Sequence, residues 1–220
     1  MRSAPRKVAG LTGVAAVAGR PGTWALKEDG TVWQWGGWAP YENRPVPAPI
    51  PGLFGVSAIA GGDVRLALTD DRTVWQWEPT TRTPVLVSGL SGVAAISAGG
   101  GDLFPGRNLA SKDDGTVWEW FNGDQRPPSQ VGGLGEVVGV AAGWDALPNY
   151  SLALKRDGTV WQLWTGPWGA VGPAPVQVTG LSGIKAIASA LENNVALKGD
   201  GMVWEWQLPG STPVQVGGLR

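Results

Sequence analysis

Neither cysteine nor histidine occurs anywhere in the 220 residues. Disulfides, thiolate or imidazole metal sites, cysteine nucleophiles and every histidine-based triad are thereby excluded. An excess of charge is missing too: 17 Lys and Arg stand against 18 Asp and Glu, and no basic stretch disturbs the balance. No general electrostatic drive toward nucleic acid or an anionic membrane is expected. No apolar run is long enough to span a bilayer. The lack of cysteine fits a reducing cytosol and is compatible with export. What the chain has in abundance is Gly (35), Pro (18) and Trp (14). Gly and Pro at this level can mark disorder. Here they recur at fixed places between apolar runs, which is turn chemistry.

The recurrence is the main signal. Thr31-Val32-Trp33-Gln34-Trp35 returns as Thr73-Val74-Trp75-Gln76-Trp77 and Thr116-Val117-Trp118-Glu119-Trp120. It returns again, with an inserted residue, as Thr159-Val160-Trp161-Gln162-Leu163-Trp164, and last as Met202-Val203-Trp204-Glu205-Trp206. The steps are 42, 43, 43 and 43 residues. Short apolar strands repeating at this period predict an all-β protein, a β-propeller of five blades of about 43 residues. The unbroken repeat argues for one domain over 1–220, with repeats at roughly 8–50, 51–87, 88–131, 132–178 and 179–220. A closed ring is expected, since an open sheet edge is a liability.

Each repeat reads in four parts. A Gly-Leu-x-Gly element precedes a small apolar strand, as at Val14–Gly19 or Val93–Gly99. After a loop of variable length comes a short strand such as Leu66-Ala67-Leu68 or Leu152-Ala153-Leu154. Asp29-Gly30, Asp114-Gly115, Asp157-Gly158 and Asp200-Gly201 then signal type I′ hairpin turns into the Trp strand. Blade two has Asp71-Arg72 instead, so a different turn is expected there. Last is a Pro-marked strand ending at Ile50, Val87, Val131, Val178 or Val216, suited to an outer edge. Trp-x-Trp puts both indoles on one face of a strand. Five blades diverge by about 72° each, against about 51° for seven, and bulky indoles suit the wider gap. Strict periodicity assigns the paired indoles to blade packing and not to sugar stacking. At the N-terminus, Arg2, Arg6 and Lys7 before an apolar stretch look like a signal peptide. Gly10-Leu11-Thr12-Gly13-Val14-Ala15-Ala16-Val17 nevertheless matches Gly89-Leu90-Ser91-Gly92-Val93-Ala94-Ala95-Ile96 almost letter for letter, so a first inner strand is expected. Ala4-Pro5-Arg6-Lys7-Val8 likewise resembles the outer segment Thr212-Pro213-Val214-Gln215-Val216. A sixth outer strand would be surplus in a closed monomer. If the ring is open, it would support self-association through a terminal strand.

Val-x-x-Ile-Ala-x-Gly, Leu152-Ala153-Leu154-Lys155-Arg156-Asp157-Gly158-Thr159-Val160-Trp161 and Trp35-Gly36 resemble the regulator of chromosome condensation repeat family over essentially the whole chain. The resemblance implies a propeller with no catalytic residues of its own. Family rings commonly have seven blades, often carry a His before the Leu-Ala-Leu strand, and in nucleotide-exchange members use a protruding wedge. This chain shows none of the three. A propeller-type β-lactamase inhibitor protein resembles this short-repeat version and binds its enzyme through loops on one face of its ring.

Function is expected in the loops that break the repeat. Those after each first strand carry Asp63, Asp102, Asp145 and Glu192 with Arg20, Arg65 and Arg107, and Phe104, Trp144 and Tyr150 lie outside the packing pattern. Arg65, Phe104, Arg107, Trp144, Asp145 and Tyr150 are the predicted contacts for a protein partner, aromatic anchors among orienting charges. The alternative is a lectin, in which Trp38, Tyr41, Phe121 and Trp168 stack on sugar rings beside Asn43 and Asn122. No enzyme activity, metal or cofactor is expected. There is no phosphate loop, no nucleophile elbow and no regular oxygen-ligand spacing.

Overall fold

The computed structural model describes residues 7–19, 22–36, 46–78, 81, 83–100, 106–143, 149–165, 172–190, 193–207 and 210–218. The protein is all-β. Sheet one is formed by β1 (Val14–Gly19), β2 (Thr23–Lys27), β3 (Val32–Trp35) and β4 (Ala48–Pro49). Sheet two holds β5 (Val56–Gly61), β6 (Arg65–Thr69), β7 (Val74–Trp77) and β8 (Val85–Leu86). Sheet three holds β9 (Val93–Ala98), β10 (Arg107–Lys112), β11 (Val117–Phe121) and β12 (Ser129–Val131). Sheet four holds β13 (Val137–Ala141), β14 (Asn149–Lys155), β15 (Val160–Thr165) and β16 (Val176–Gln177). Sheet five holds β17 (Ile184–Ala190), β18 (Asn193–Lys198), β19 (Val203–Gln207) and β20 (Val214–Gln215). Within each sheet, strands pair antiparallel in chain order. These are the blades of a propeller.

The two faces of a blade differ. The forward face carries the paired Leu residues of the second strand and the Val of the Trp strand. The backward face carries the first residue of the inner strand, the central Ala and the two indoles. Four buried clusters join the forward face of one sheet to the backward face of the next. Trp24, Leu26 and Val32 meet Val56, Ala67 and Trp77. Leu66, Leu68 and Val74 meet Val93, Ala110 and Trp120. Leu109 and Val117 meet Val137, Ala153 and Leu163, and Leu152, Leu154 and Val160 meet Ile184, Ala196 and Trp206. Among the described residues no cluster joins sheet five to sheet one. The backward face of sheet one is open, with Val14 40% and Val17 70% exposed. On the forward face of sheet five, Val195, Leu197 and Val203 are only half-buried.

The hairpin turn departs from the expected type. Lys27 N–H donates to Thr31 O (2.9 Å) and Gly30 N–H to Lys27 O (3.0 Å). Gly30 has φ +75° while Asp29 keeps negative φ. This is a type I turn followed by a left-handed residue that forms a bulge, a three-residue hairpin loop in place of the two-residue type I′. It suits Asp29, whose Oδ1 accepts from Thr31 N–H (3.0 Å) and Thr31 Oγ1–H (2.6 Å). Blade two does not differ, contrary to expectation. Arg72 takes the left-handed position at φ 65°, and Thr69 and Thr73 close the same ring. The residue apparently inserted in blade four is not a bulge either. Pairing between β14 and β15 runs without a shift, Leu163 occupies the place of the second indole, and Trp164 falls on the opposite face.

Candidate functional site

Each blade has two ends. At the turn end, the hairpin of one blade holds the start of the next: Val56 N–H donates to Gly30 O (3.1 Å), and Val93, Val137 and Ile184 repeat the contact with Arg72, Gly115 and Gly158. A Cβ on Gly30 would lie 3.2 Å from Gly55 Cα, so the two turns pack backbone to backbone. These shared contacts bring all the turn ends to one side of the array. The connections between first and second strands therefore open together on the other.

The loop end is built on buried polar groups. The residue paired with the second indole is polar in every blade: Thr23, Arg65, Asn108, Ser151 and Asn194. In blade four Leu163 stands in for that indole. Asn108 Nδ2–H donates to Asn122 Oδ1 (2.7 Å), and Ser151 Oγ accepts from Gly143 N–H (3.2 Å). Ser97 Oγ accepts from Ala142 N–H (2.9 Å) and Gln76 Oε1 from Trp120 Nε1–H (2.9 Å), and both bonds cross between blades. These bonds fix where the loops leave the frame.

Two predicted contact residues belong to this frame and not to the loop surface. Arg65 is fully buried in β6, its guanidinium 5.0 Å from the ring centre of Trp24 in blade one. Arg107 is fully buried in β10, and Glu119 on the adjacent strand accepts from its Nε–H at 2.7 Å, with Nη2 at 2.5 Å. Burial pulls the Arg107 guanidinium down from its usual pKa while the Glu119 carboxylate opposes the shift. Assigning both arginines to a partner surface is corrected on this ground, because the second strand begins earlier than the loop spacing suggested. Tyr150 is half-buried in β14, its ring 5.5 Å from that of Trp164 and edge-on to it. Burial pushes its phenol pKa up. Phe104, Trp144 and Asp145 lie outside the described residues.

Of the sugar-stacking set, Trp38, Tyr41, Asn43 and Trp168 lie outside the described residues. Phe121 is half-buried and lines a cavity of about 120 Å³ with Glu119, Asp124 and Arg126. Ligand pockets usually exceed about 300 Å³. Asn122 spends its carbonyl on Asn108. Among the described members of this set, Phe121 and Asn122, there is thus no aromatic platform backed by a free amide carbonyl. No group of three or more Asp and Glu among them could hold a metal ion.

The turn end carries a second repeated arrangement. In blades one, three and four a lysine lies over the first indole: Lys27 Nζ is 5.7 Å from the Trp33 ring centre, Lys112 5.2 Å from Trp118 and Lys155 5.3 Å from Trp161. Each of these indoles donates Nε1–H to the hairpin threonine, Thr31, Thr116 or Thr159, at 3.0–3.1 Å. Lys27 also pairs with Asp29 at 2.7 Å, which, with the Thr31 bonds, holds that carboxyl at a pKa of about 2. Blade two has Thr69 where the others have lysine. Beside it lies a cavity of about 380 Å³ lined by Leu53, Phe54, Thr69, Asp70, Asp71 and Trp75. Phe54 is 76% exposed. Aligned position by position, the repeats mark Thr69 and Phe54 as departures from the pattern.

Five four-stranded antiparallel sheets, stacked forward face on backward face, define the blades of a β-propeller. No family model matches the chain, and none of the curated proteins matches it. Solved structures do. Prp20p from Saccharomyces cerevisiae superposes with a TM-score of 0.72 at 17% identity, over 93% of this chain and 63% of that one. Human WBSCR16 gives 0.67 at 18% identity, over 90% and 65%. PorZ of Porphyromonas gingivalis, a bacterial surface component of the type-IX secretion system, gives 0.65 at 16%, over 96% and 29%. The chain spans less than two thirds of each. At these identities the likeness shows the fold alone, a β-propeller similar to that of yeast Prp20.

Proposed function

We propose that the chain is a non-enzymatic scaffold that presents the loops of one propeller face to a protein partner. The observation that carries this reading is a constant frame bearing unequal loops. The repeated side chains are consumed in the blade junctions and hairpins. The connections between first and second strands, by contrast, run from Ala190–Asn193 in blade five to Ala98–Arg107 in blade three. Loops held by a rigid frame are where binding residues concentrate. Similar propellers engage proteins: Prp20p has binding properties toward Gsp1p and histones, and yeast RCC1 is bound by Kap60. In this reading Phe104, Trp144 and Tyr150 are the anchors and Asp145 sets orientation. Arg65 and Arg107 act beneath them, holding the strand ends.

The test is affinity capture by the full chain from a lysate of its source cells, followed by the dissociation constant of the purified pair. Trp144→Ala is expected to weaken that pair by about 2 kcal/mol while leaving thermal unfolding unchanged. Undiminished binding by this variant would remove the loop-face assignment.

A further inference from the structure

Blade two differs from its neighbours at one place with a definite chemical meaning. In blades one, three and four the first indole is capped by the ammonium of a lysine from its own hairpin, at 5.2–5.7 Å. An alkylammonium over an indole face, with a carboxylate alongside, is a favourable cation–π arrangement. Blade two keeps the indole, Trp75, and the hairpin carboxylate, Asp71, but replaces the lysine with Thr69. The hydroxyl turns inward, meeting Asp71 Oδ1 at 2.6 Å and Thr73 Oγ1 at 2.7 Å. Thr73 Oγ1–H donates to Asp71 Oδ1 at 2.8 Å. Trp75 therefore forms neither the ammonium contact nor the threonine bond of its counterparts.

One addition accompanies the loss. The third position of Gly-Leu-x-Gly is Thr12, Ser91, Gly135 or Ser182 elsewhere but Phe54 here, and that ring stands out into solvent. The residue before the hairpin Asp is Asp70, acidic as Glu28 and Asp113 are in blades one and three, and here two carboxylates and two aromatic rings line the same 380 Å³ cavity. Arg72 does not fill it. Its guanidinium reaches across to blade three, 3.5 Å from Asp113 and bonded to Val93 O at 3.4 Å.

We propose that this cavity is a docking site for a lysine side chain of a protein partner, taking the place that Lys27, Lys112 and Lys155 occupy in their own blades. The occupant's chemistry is read from those three blades. Trp75 and Phe54 offer ring faces to the methylene stem and ammonium, and Asp70 and Asp71 supply the opposite charge. The source of the lysine rests on the protein-binding reading above; the chemistry of the cavity does not. The site is on the turn face, opposite the loops.

The test uses the full chain labelled with nitrogen-15. The Trp75 indole N–H resonance is identified by its loss in Trp75→Phe. The probe is Nα-acetyl-lysine N-methylamide, with its Nε-acetylated form as the neutral control. Saturable movement of the Trp75 resonance is expected, with a dissociation constant weaker than about 1 mM, since one exposed cation–π contact falls well short of what millimolar binding requires. The neutral control should leave it unmoved, and Phe54→Ala and Asp70→Asn should each weaken the response severalfold. Thr69→Lys should abolish it by filling the cavity from within, and all four other blades already carry lysine there. Equal movement by the neutral control, or a wild-type response in Thr69→Lys, would overturn the site. The captured partner gives a separate check. Capture by wild type and not by Thr69→Lys supports the docking role. Equal capture by both overturns it while upholding the scaffold, and capture by neither defeats the scaffold reading itself.

Discussion

The interior blades and the end blades carry the same repeat and yet differ in burial. Val93 and Val137 are buried, whereas Val14, at the same position of sheet one, is 40% exposed. Leu68 and Leu154 are buried, whereas Leu197 of sheet five is half-buried. The second indole is buried as Trp77, Trp120 and Trp206 but half-buried as Trp35. A residue in this architecture is thus a core residue only by virtue of the neighbouring blade. Stability is accordingly a sum of blade terms and junction terms, as in other arrays in which each unit touches only its neighbours.

That comparison can be broken at several strengths. The largest effect is expected at a junction between interior sheets. Trp120→Ala should cost about 3–5 kcal/mol in urea unfolding, since it empties the sheet two–sheet three contact and orphans Gln76. A near-neutral result would deny the junction. Next is Glu119→Ala, which leaves the Arg107 guanidinium buried and unpaired at a cost of about 3 kcal/mol. Restoration of stability by adding Arg107→Met to it would show the penalty to be that of the stranded charge. A matched pair sharpens the contrast between interior and end: Leu154→Ala should lose about 3 kcal/mol and Leu197→Ala about 1 kcal/mol, although the deleted atoms are the same. Equal losses would mean that sheet five has a neighbour on its forward face.

The smallest effect belongs to the exposed hairpins. The Asp29 carboxyl is held at about 2, below its usual 3.8, by Lys27 first and then by the Thr31 hydroxyl and amide. A depressed carboxylate stabilises the fold above its unfolded value, and that contribution fades as pH falls from about 3.8 toward 2. Asp29→Asn should remove this slight acid sensitivity, lowering stability a little at pH 7 and less at pH 2.5. The comparison of melting temperatures at pH 2.5 and pH 7 checks it.

Much of the fold was legible because one pattern is written five times. The Trp-x-Trp, Leu-Ala-Leu and Gly-Leu-x-Gly elements each have one packing role, so strand order followed from the period. The errors were local. Asp-Gly signals a two-residue hairpin loop, whereas Lys27 and Thr31 close a three-residue loop in which only Gly30 needs positive φ. Arg72 shows that the conformation belongs to the turn and not to the glycine. The candidate surface was less legible. Arg65 and Arg107 read as loop charges because nothing in a single sequence distinguishes a solvated arginine from one stacked on Trp24 or paired with Glu119. The register that buries Arg65 was nonetheless visible as a repeated polar position opposite the second indole.

Hydrogen exchange along the full chain tests the neighbour rule most directly. Amides of β6, β10 and β14, in sheets with a blade on both faces, are predicted to exchange slowest, with those of β1 and β19 at least about tenfold faster. Equal protection of all five sheets would contradict the account, because it would require a fifth junction closing sheet five onto sheet one.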